Sequence, residues 1–324
     1  MARIVAENEA LAEALALLEA GQPVALPTET VYGLAADASN GEAVARIYEA
    51  KGRPRFNPLI AHVSDMAMAE RVARFDPLSR RLAEALWPGP LTLVLPLAEG
   101  APIHPLMLAG LATVAVRMPR GFAAKTIAAL GWPLAAPSAN SSGKVSGTSA
   151  AAIEADLGVR IPLIVDGGPT PVGVESTIVK VDGDEVLLLR PGGVATDEIE
   201  ATAGRPVRRR ARGNVEAPGM LASHYAPAAR LRTDAADVRA GEALLAFGPE
   251  RLPGAELAVA TANLSQTGDL REAAANLFSH LQALDRSGAR VIAAGPVPHE
   301  GLGEAINDRL ARAAAPRDIP QPRQ

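Results

Sequence analysis

Five short segments set hydroxyls, amides and charges beside apolar runs. The first, Pro27-Thr28-Glu29-Thr30-Val31-Tyr32-Gly33-Leu34, follows the apolar stretch PVALP. Hydroxyls and a carboxylate there either line a polar pocket or cap a turn. The second, Lys51-Gly52-Arg53-Pro54, ends a helical pattern. Its cations complement the negative end of a helix, or reach a bound polyphosphate past the two backbone breakers. In Val116-Arg117-Met118-Pro119 an arginine leaves an apolar run. The fourth, Pro137-Ser138-Ala139-Asn140-Ser141-Ser142-Gly143, is either a plain loop or a cradle for ribose or phosphate. The fifth pairs Glu175-Ser176-Thr177 with Arg190-Pro191-Gly192. Each alone is weak. Together they set Lys51, Arg53, Arg117 and Arg190 near loops rich in Ser, Thr and Asn, the profile of a site for a multiply charged anion.

Other chemistries lack their residues. There is no GxxxxGK[ST] loop, no GxGxxG after a strand, no HExxH and no GxSxG elbow. Cysteine is absent from the 324 residues, which removes disulfides, thiolate nucleophiles and cysteine zinc sites. His62, His104, His224, His280 and His299 have no metal-ligand spacing, so no protein-held metal is expected. A net charge of −4 gives no global basic field for nucleic acid. The basic run is Arg205, Arg208, Arg209, Arg210 and Arg212. It reads as a solvated linker in preference to an RNA contact. Glu7, Glu9, Glu13 and Glu19 interrupt any N-terminal signal sequence, and the charge-free runs contain Pro and Gly. The chain is expected to be cytoplasmic, with no membrane contact.

Regular elements must position these segments. Leu11, Leu15 and Leu18 predict a helix over 8–20, and Val44, Ile47 and Tyr48 another over 41–50. Further helices are expected at 76–87 and 121–130. Strands are expected at 23–27, 58–63, 91–97, 112–118, 133–137 and 161–168. Residues 176–190 read as a hairpin turning at Asp182-Gly183. This is a mixed α/β domain over 1–205. Residues 206–230, rich in Pro, Gly and Arg, read as a linker. Residues 231–324 alternate strands (242–248, 256–261, 290–296) with helices (268–285, 301–314), a smaller Rossmann-like α/β unit ending in a frayed tail, IPQPRQ.

PTETVYGLAADA, KGRPRFNPL, WPGPLTLVL, VAVRMP, PSANSSG, ESTIV and RPGG, in this order, closely resemble the YrdC-like domain over nearly all of 1–205. HYAP (224–227) and the unit after it are similar to the two-domain threonylcarbamoyl-AMP synthase family. The resemblance implies an α/β fold, a twisted mixed-sheet catalytic domain followed by the smaller unit. It implies a nucleotidyltransferase that turns L-threonine, bicarbonate and ATP, with Mg2+, into threonylcarbamoyl-AMP and pyrophosphate. The product would feed threonylcarbamoyladenosine formation in tRNA through a tRNA-modifying transferase complex, with tRNA itself at most an indirect partner.

Carried over by position, Thr30, His62, Arg117 and Ser176 would hold threonine. Arg53, Asn57, Thr113, Ser138, Asn140, Ser146 and Arg190 would contact ATP, with Lys51 and Arg53 the catalytic pair at the phosphates. Lys51 on this reading makes little packing. His224 and Tyr225, on a strap of Ala, Pro and Gly, would form a lid over the nucleotide or else sit in a passive connector. The alternative function is an RNA-binding module without adenylate chemistry. A related domain in larger carbamoyl-transfer enzymes would come with segments that this chain lacks.

Overall fold

Small side chains decide the helix faces. Helix α1 (Glu7–Glu19) buries Ala10, Ala14 and Leu18 and leaves Leu11 exposed. The leucine spacing alone pointed one position over, because alanine can be a core residue here. The computed structural model describes residues 1–209 and 224–316. These fall into two units, one of 1–142 with 146–209 and one of 143–145 with 224–316.

The first unit continues with α2 (Gly41–Lys51), α3 (Met66–Val72), α4 (Pro77–Leu86), α5 (Phe122–Leu130), α6 (Ala150–Leu157) and α7 (Thr196–Ala203). Its strands are β1 (Arg3–Ala6), β2 (Val24–Leu26), β3 (Gly33–Asp37), β4 (Ile60–His62), β5 (Leu91–Pro96), β6 (Thr113–Arg117), β7 (Leu134–Ala135), β8 (Leu163–Asp166), β9 (Thr177–Asp182), β10 (Glu185–Arg190) and β11 (Val207–Arg209). They join in the order β1-β8-β2-β3-β7-β4-β6-β5-β9-β10-β11. The sheet is mixed, as expected: β4 runs parallel to β6 and β5 to β9, whereas β5–β6 and β9–β10 are antiparallel.

Local chemistry sets the ends of these elements. The Asn40 side chain accepts from the N–H groups of Glu42 and Ala43 at the start of α2, and Gly52 closes that helix at φ 59°. Asp76 caps α4, whose first residue is Pro77. The β9–β10 hairpin turns at Asp182-Gly183, with Gly183 at φ 59°.

The second unit holds a parallel sheet of β12 (Arg230–Arg232), β13 (Ala243–Ala246), β14 (Thr261–Asn263) and β15 (Val291–Ala294), in the order β12-β15-β13-β14. Helices α8 (Leu270–Asp285) and α9 (Gly303–Ala314) pack on it. Asp269 caps α8, which buries Ala273, Ala274, Leu277, Phe278, Leu281 and Leu284.

Two expectations change. The linker at 206–230 is not structureless throughout. Val207–Arg209 add β11 to the first sheet beside β10, and Arg230 opens β12. Residues 210–223, with Arg210 and Arg212, lie outside the described residues, as does the tail. The strand expected at 256–261 is a 3-10 turn at Ala255–Leu257 followed by β14. Its Leu257 and Val259 are exposed, so no core pins them into a ladder. Helices α3, α6 and α7 and strand β3 carry too few large apolar residues to show a period. Among the described residues, no helix is long and apolar enough to cross a membrane.

Gly192 lets the chain leaving β10 pass close to the 175–177 segment. A Cβ there would sit 2.3 Å from the Glu175 carbonyl oxygen and 2.4 Å from the Thr177 nitrogen. Backbone cannot yield as a side-chain tip can. Gly192→Ala is therefore expected to cost more than about 2 kcal/mol, read from urea unfolding of the variant beside the parent chain. An unchanged midpoint would refute the contact.

Candidate functional site

Sheet register builds the centre of the site. His62, the last residue of β4, lies opposite Arg117, the last of β6, and Arg117 lies opposite Thr92 on β5. Thr92 is in turn level with Ile178 on β9, and Ile178 with Arg190 on β10. One row across five strands thus carries His62, Arg117, Thr92 and Arg190.

Arg117 is buried, and its Nη2 donates to Glu29 Oε1 at 2.7 Å. Its Nε donates to the Gly89 carbonyl at 3.3 Å. Glu29 Oε2 accepts from the Arg120 N–H at 3.0 Å. Burial would raise the Glu29 carboxyl, but the Arg117 charge and the Arg120 N–H outweigh it and hold the group below its usual range. Burial, and then the Arg117 charge, pushes His62 down to about 3. His62 is therefore neutral at ordinary pH. Its Nδ1 lies 3.2 Å from the Ile60 carbonyl oxygen. Thr30 is fully buried, its hydroxyl 3.0 Å from that of Thr28.

At the other side of the row, Ser176 Oγ lies 2.7 Å from Thr92 Oγ1. Arg190 Nη2 donates to the Ser176 carbonyl at 2.8 Å and to its hydroxyl at 3.2 Å. Next along the chain, Glu175 Oε1 accepts from Ser146 Oγ at 2.5 Å.

Lys51 is not the solvent-facing cation that its place at a helix end suggests. It is 2% exposed, and its Nζ donates to the carbonyls of Ser138, at 2.5 Å, and Asn140. Burial, and after it the charge of Arg53, holds its ammonium well below the usual lysine range. Asp156 and Glu175 pull the other way. The Ser138 hydroxyl donates to Asn140 Oδ1 at 2.6 Å, and Asp156 takes the Ser141 N–H and hydroxyl at 2.5 and 2.7 Å. Arg53, also buried, donates to the carbonyls of Asn57 at 3.2 Å and Pro58 at 2.8 Å. Asn57 Oδ1 is buried with no hydrogen-bond partner among the described residues, an acceptor available to a ligand donor.

Thr113 opens β6, four residues and about 13 Å from Arg117 at ~3.3 Å per residue. Extending the β4–β6 register back sets it level with Pro58, the residue held by Arg53. The threonine residues of the resemblance and Asn57, Arg53 and Thr113 thus occupy opposite ends of the same strands. Sequence reasoning gave no role to Thr92 or Asp156, and none to Glu29 or Glu175 beyond lying in polar segments. For Thr92 the signal was present: one hydroxyl inside the apolar run LTLVLPL needs a partner once buried.

The profile described as "Telomere recombination" matches residues 16–192, and that described as "Threonylcarbamoyl-AMP synthase, C-terminal domain" matches 194–315. The threonylcarbamoyl-AMP synthase of Bacillus subtilis (strain 168) is 41% identical, over 95% of this chain and 94% of its own. This chain belongs to the threonylcarbamoyl-AMP synthase family. The Pyrococcus abyssi threonylcarbamoyl-AMP synthase is likewise 41% identical, over 94% of each chain. The crystal structure of P. abyssi Sua5 complexed with L-threonine superposes with a TM-score of 0.87 at 38% identity, covering 96% of this chain and 97% of that one. The YrdC-like resemblance and the mixed α/β fold are thereby established for this family member.

His224 and Tyr225 belong to the second unit. Tyr225, at φ 63°, is buried with its ring stacked on Phe278 at 5.5 Å and Arg309 over it at 5.1 Å. His224 meets it edge-on at 4.1 Å. Among the described residues no three His, Asp or Glu side chains gather as a metal-ligand set.

The neutral state of His62 has a consequence for stability. Between its ordinary 6.5 and about 3, the unfolded chain takes up a proton that the folded chain refuses. Stability therefore falls as pH drops through that window. His62→Gln removes the penalty. The variant is expected to lose roughly 3 kcal/mol less stability than the parent between pH 7 and pH 4. Urea unfolding at both pH values checks this, and equal acid sensitivity would count against a buried neutral His62.

Proposed function

We propose that this chain is a nucleotidyltransferase that makes threonylcarbamoyl-AMP and pyrophosphate from L-threonine, bicarbonate and ATP. One observation carries the reading. Among the described residues of the first unit, four cations are buried, Lys51, Arg53, Arg117 and Arg190, against two carboxylates, Glu29 and Glu175. An anion bound among them would offset the surplus and favour the charged form of Lys51, which burial opposes. ATP supplies such an anion, and the relative crystallised with L-threonine supplies the second substrate class.

In this mechanism the threonine amine adds to carbon dioxide drawn from bicarbonate, giving a carbamate. A carbamate oxygen attacks the α-phosphorus, and pyrophosphate leaves. Arg117, steadied by Glu29, takes the threonine carboxylate beside Thr30, neutral His62 and Ser176. A neutral imidazole there adds no charge to compete with Arg117. Arg190, Arg53, Asn57, Thr113, Ser138, Asn140 and Ser146 hold ATP. Lys51 binds charge at the phosphates and also fixes the Ser138–Asn140 turn through its two carbonyl contacts. Positioning and charge stabilisation account for the rate, with no covalent enzyme intermediate. Magnesium, arriving on ATP, would be held by phosphate oxygens and would neutralise the leaving pyrophosphate. The product would pass, in the cytoplasm, to a tRNA-modifying transferase complex.

The deciding assay is pyrophosphate release that requires both threonine and bicarbonate. Arg117→Lys keeps the charge but loses the fork. It is expected to raise KM for threonine about tenfold or more, with a smaller change for ATP. Release that ignores threonine would overturn the function and leave the RNA-binding alternative. A change confined to ATP would move Arg117 to the nucleotide side.

His224 and Tyr225 are proposed as a lid element. The Ala226 N–H donates to the Gly143 carbonyl at 3.0 Å, a contact within the second unit. A chain ending at residue 209 keeps β11, which a cut after 205 would remove. It is expected to yield less threonylcarbamoyl-AMP per ATP consumed, because an open site exposes the mixed anhydride to water. Equal yields and rates would assign the second unit to another task.

A further inference from the structure

The second unit contains a crevice of about 460 Å³ that this reaction does not use. It opens at the carboxyl ends of β13 and β15. Phe247, Gly248 and Glu250 line it after β13, and Gly295 and Pro296 after β15. Gly268, just ahead of α8, and the apolar Leu252, Val297 and Pro298 also line it.

Topology explains the crevice. All four strands are parallel. The chain leaving β13 goes to its neighbour β14, whereas the chain leaving β15 enters α9, which packs on β12 at the opposite side. The two connections diverge, and the crevice lies where they part. Open α/β sheets bind ligands at that place. Gly248 and Gly268, at φ 81° and 80°, keep the rim free of side chains that would fill it.

The lining selects the ligand. It contains no Lys or Arg. Two of the first three N–H groups of α8 are already taken, because Asp269 Oδ1 accepts from Arg271 and Glu272 at 2.7 and 3.0 Å. A phosphate would meet neither a cation nor an open helix end. Phe247 offers a ring face, and Glu250 is an exposed carboxylate that can accept only from donors such as hydroxyls. The volume is that of a small-molecule site. We propose that this crevice binds an uncharged nucleoside, its base against Phe247 and its ribose diol on Glu250.

The test titrates the full chain with adenosine and follows backbone amide resonances of Gly248, Gly268 and Gly295. AMP and inorganic phosphate serve as parallel probes. ATP at saturation occupies the first unit throughout. Saturable shifts at the three glycines with adenosine are expected, with AMP at least threefold weaker and phosphate without effect. Phe247→Ala should weaken adenosine about tenfold, and Glu250→Gln about threefold. Glu250 is exposed, so its variant remains informative if Phe247→Ala does not fold. Threonine-dependent pyrophosphate release should be unchanged in Glu250→Gln. Unmoved glycine resonances, AMP binding as tightly as adenosine, or a Glu250→Gln variant that binds like the parent would each overturn the proposal.

Discussion

Glu29 and Arg117 form a buried ion pair at 2.7 Å, and the first unit is arranged around it. Neither group can be buried alone, since an uncompensated interior charge costs several kcal/mol. The pair therefore fastens the loop after β2 to the end of β6. The second Glu29 oxygen holds the Arg120 N–H, and the Glu29 carbonyl accepts from Val172. Three segments far apart in sequence meet at this one residue: its own loop, the end of β6 through its carboxylate, and the Val172 segment through its backbone carbonyl. The adjacent Thr30 carbonyl takes the Gly173 N–H, which extends the same seam.

That seam is also an electrostatic device. Arg117 is buried and carries a full charge, so it needs a partner whether or not an anion is bound. Glu29 supplies that partner through Nη2 alone, and the Gly89 carbonyl takes Nε. Nη1 has no hydrogen-bond partner among the described residues. Lys51 solves the same problem differently: two backbone carbonyls stand in for a counterion, and its charge is held weakly.

Much of this was legible in the sequence, and the losses have physical causes. The polar segments announced themselves by interrupting apolar runs, and the Asp182-Gly183 turn and the helix end at Gly52 need only local chemistry. The burial of Lys51 was not legible, because its carbonyl partners lie 87 and 89 residues away. Thr92 looked like one more β-branched strand residue until Ser176 came within 2.7 Å. Val207–Arg209 read as linker because two of three residues are arginines. A ladder at the end of a sheet asks only that one face be apolar, and Val207 supplies that face against Val186. In an alanine-rich chain the leucines alone do not mark the buried stripe, as α1 shows.

The placement of Arg208 and Arg209 gives the basic run a different meaning. Among the described residues the large sheet ends at β11, whose outer edge has no strand beside it. A bare row of N–H and C=O groups invites another chain to add on. Both arginines are exposed there, with Arg208 paired to Glu185 at 2.5 Å. At the opposite rim β1 carries exposed Arg3, 3.1 Å from Glu13. Charged side chains on both rims disfavour edge-to-edge pairing of one such sheet with the next.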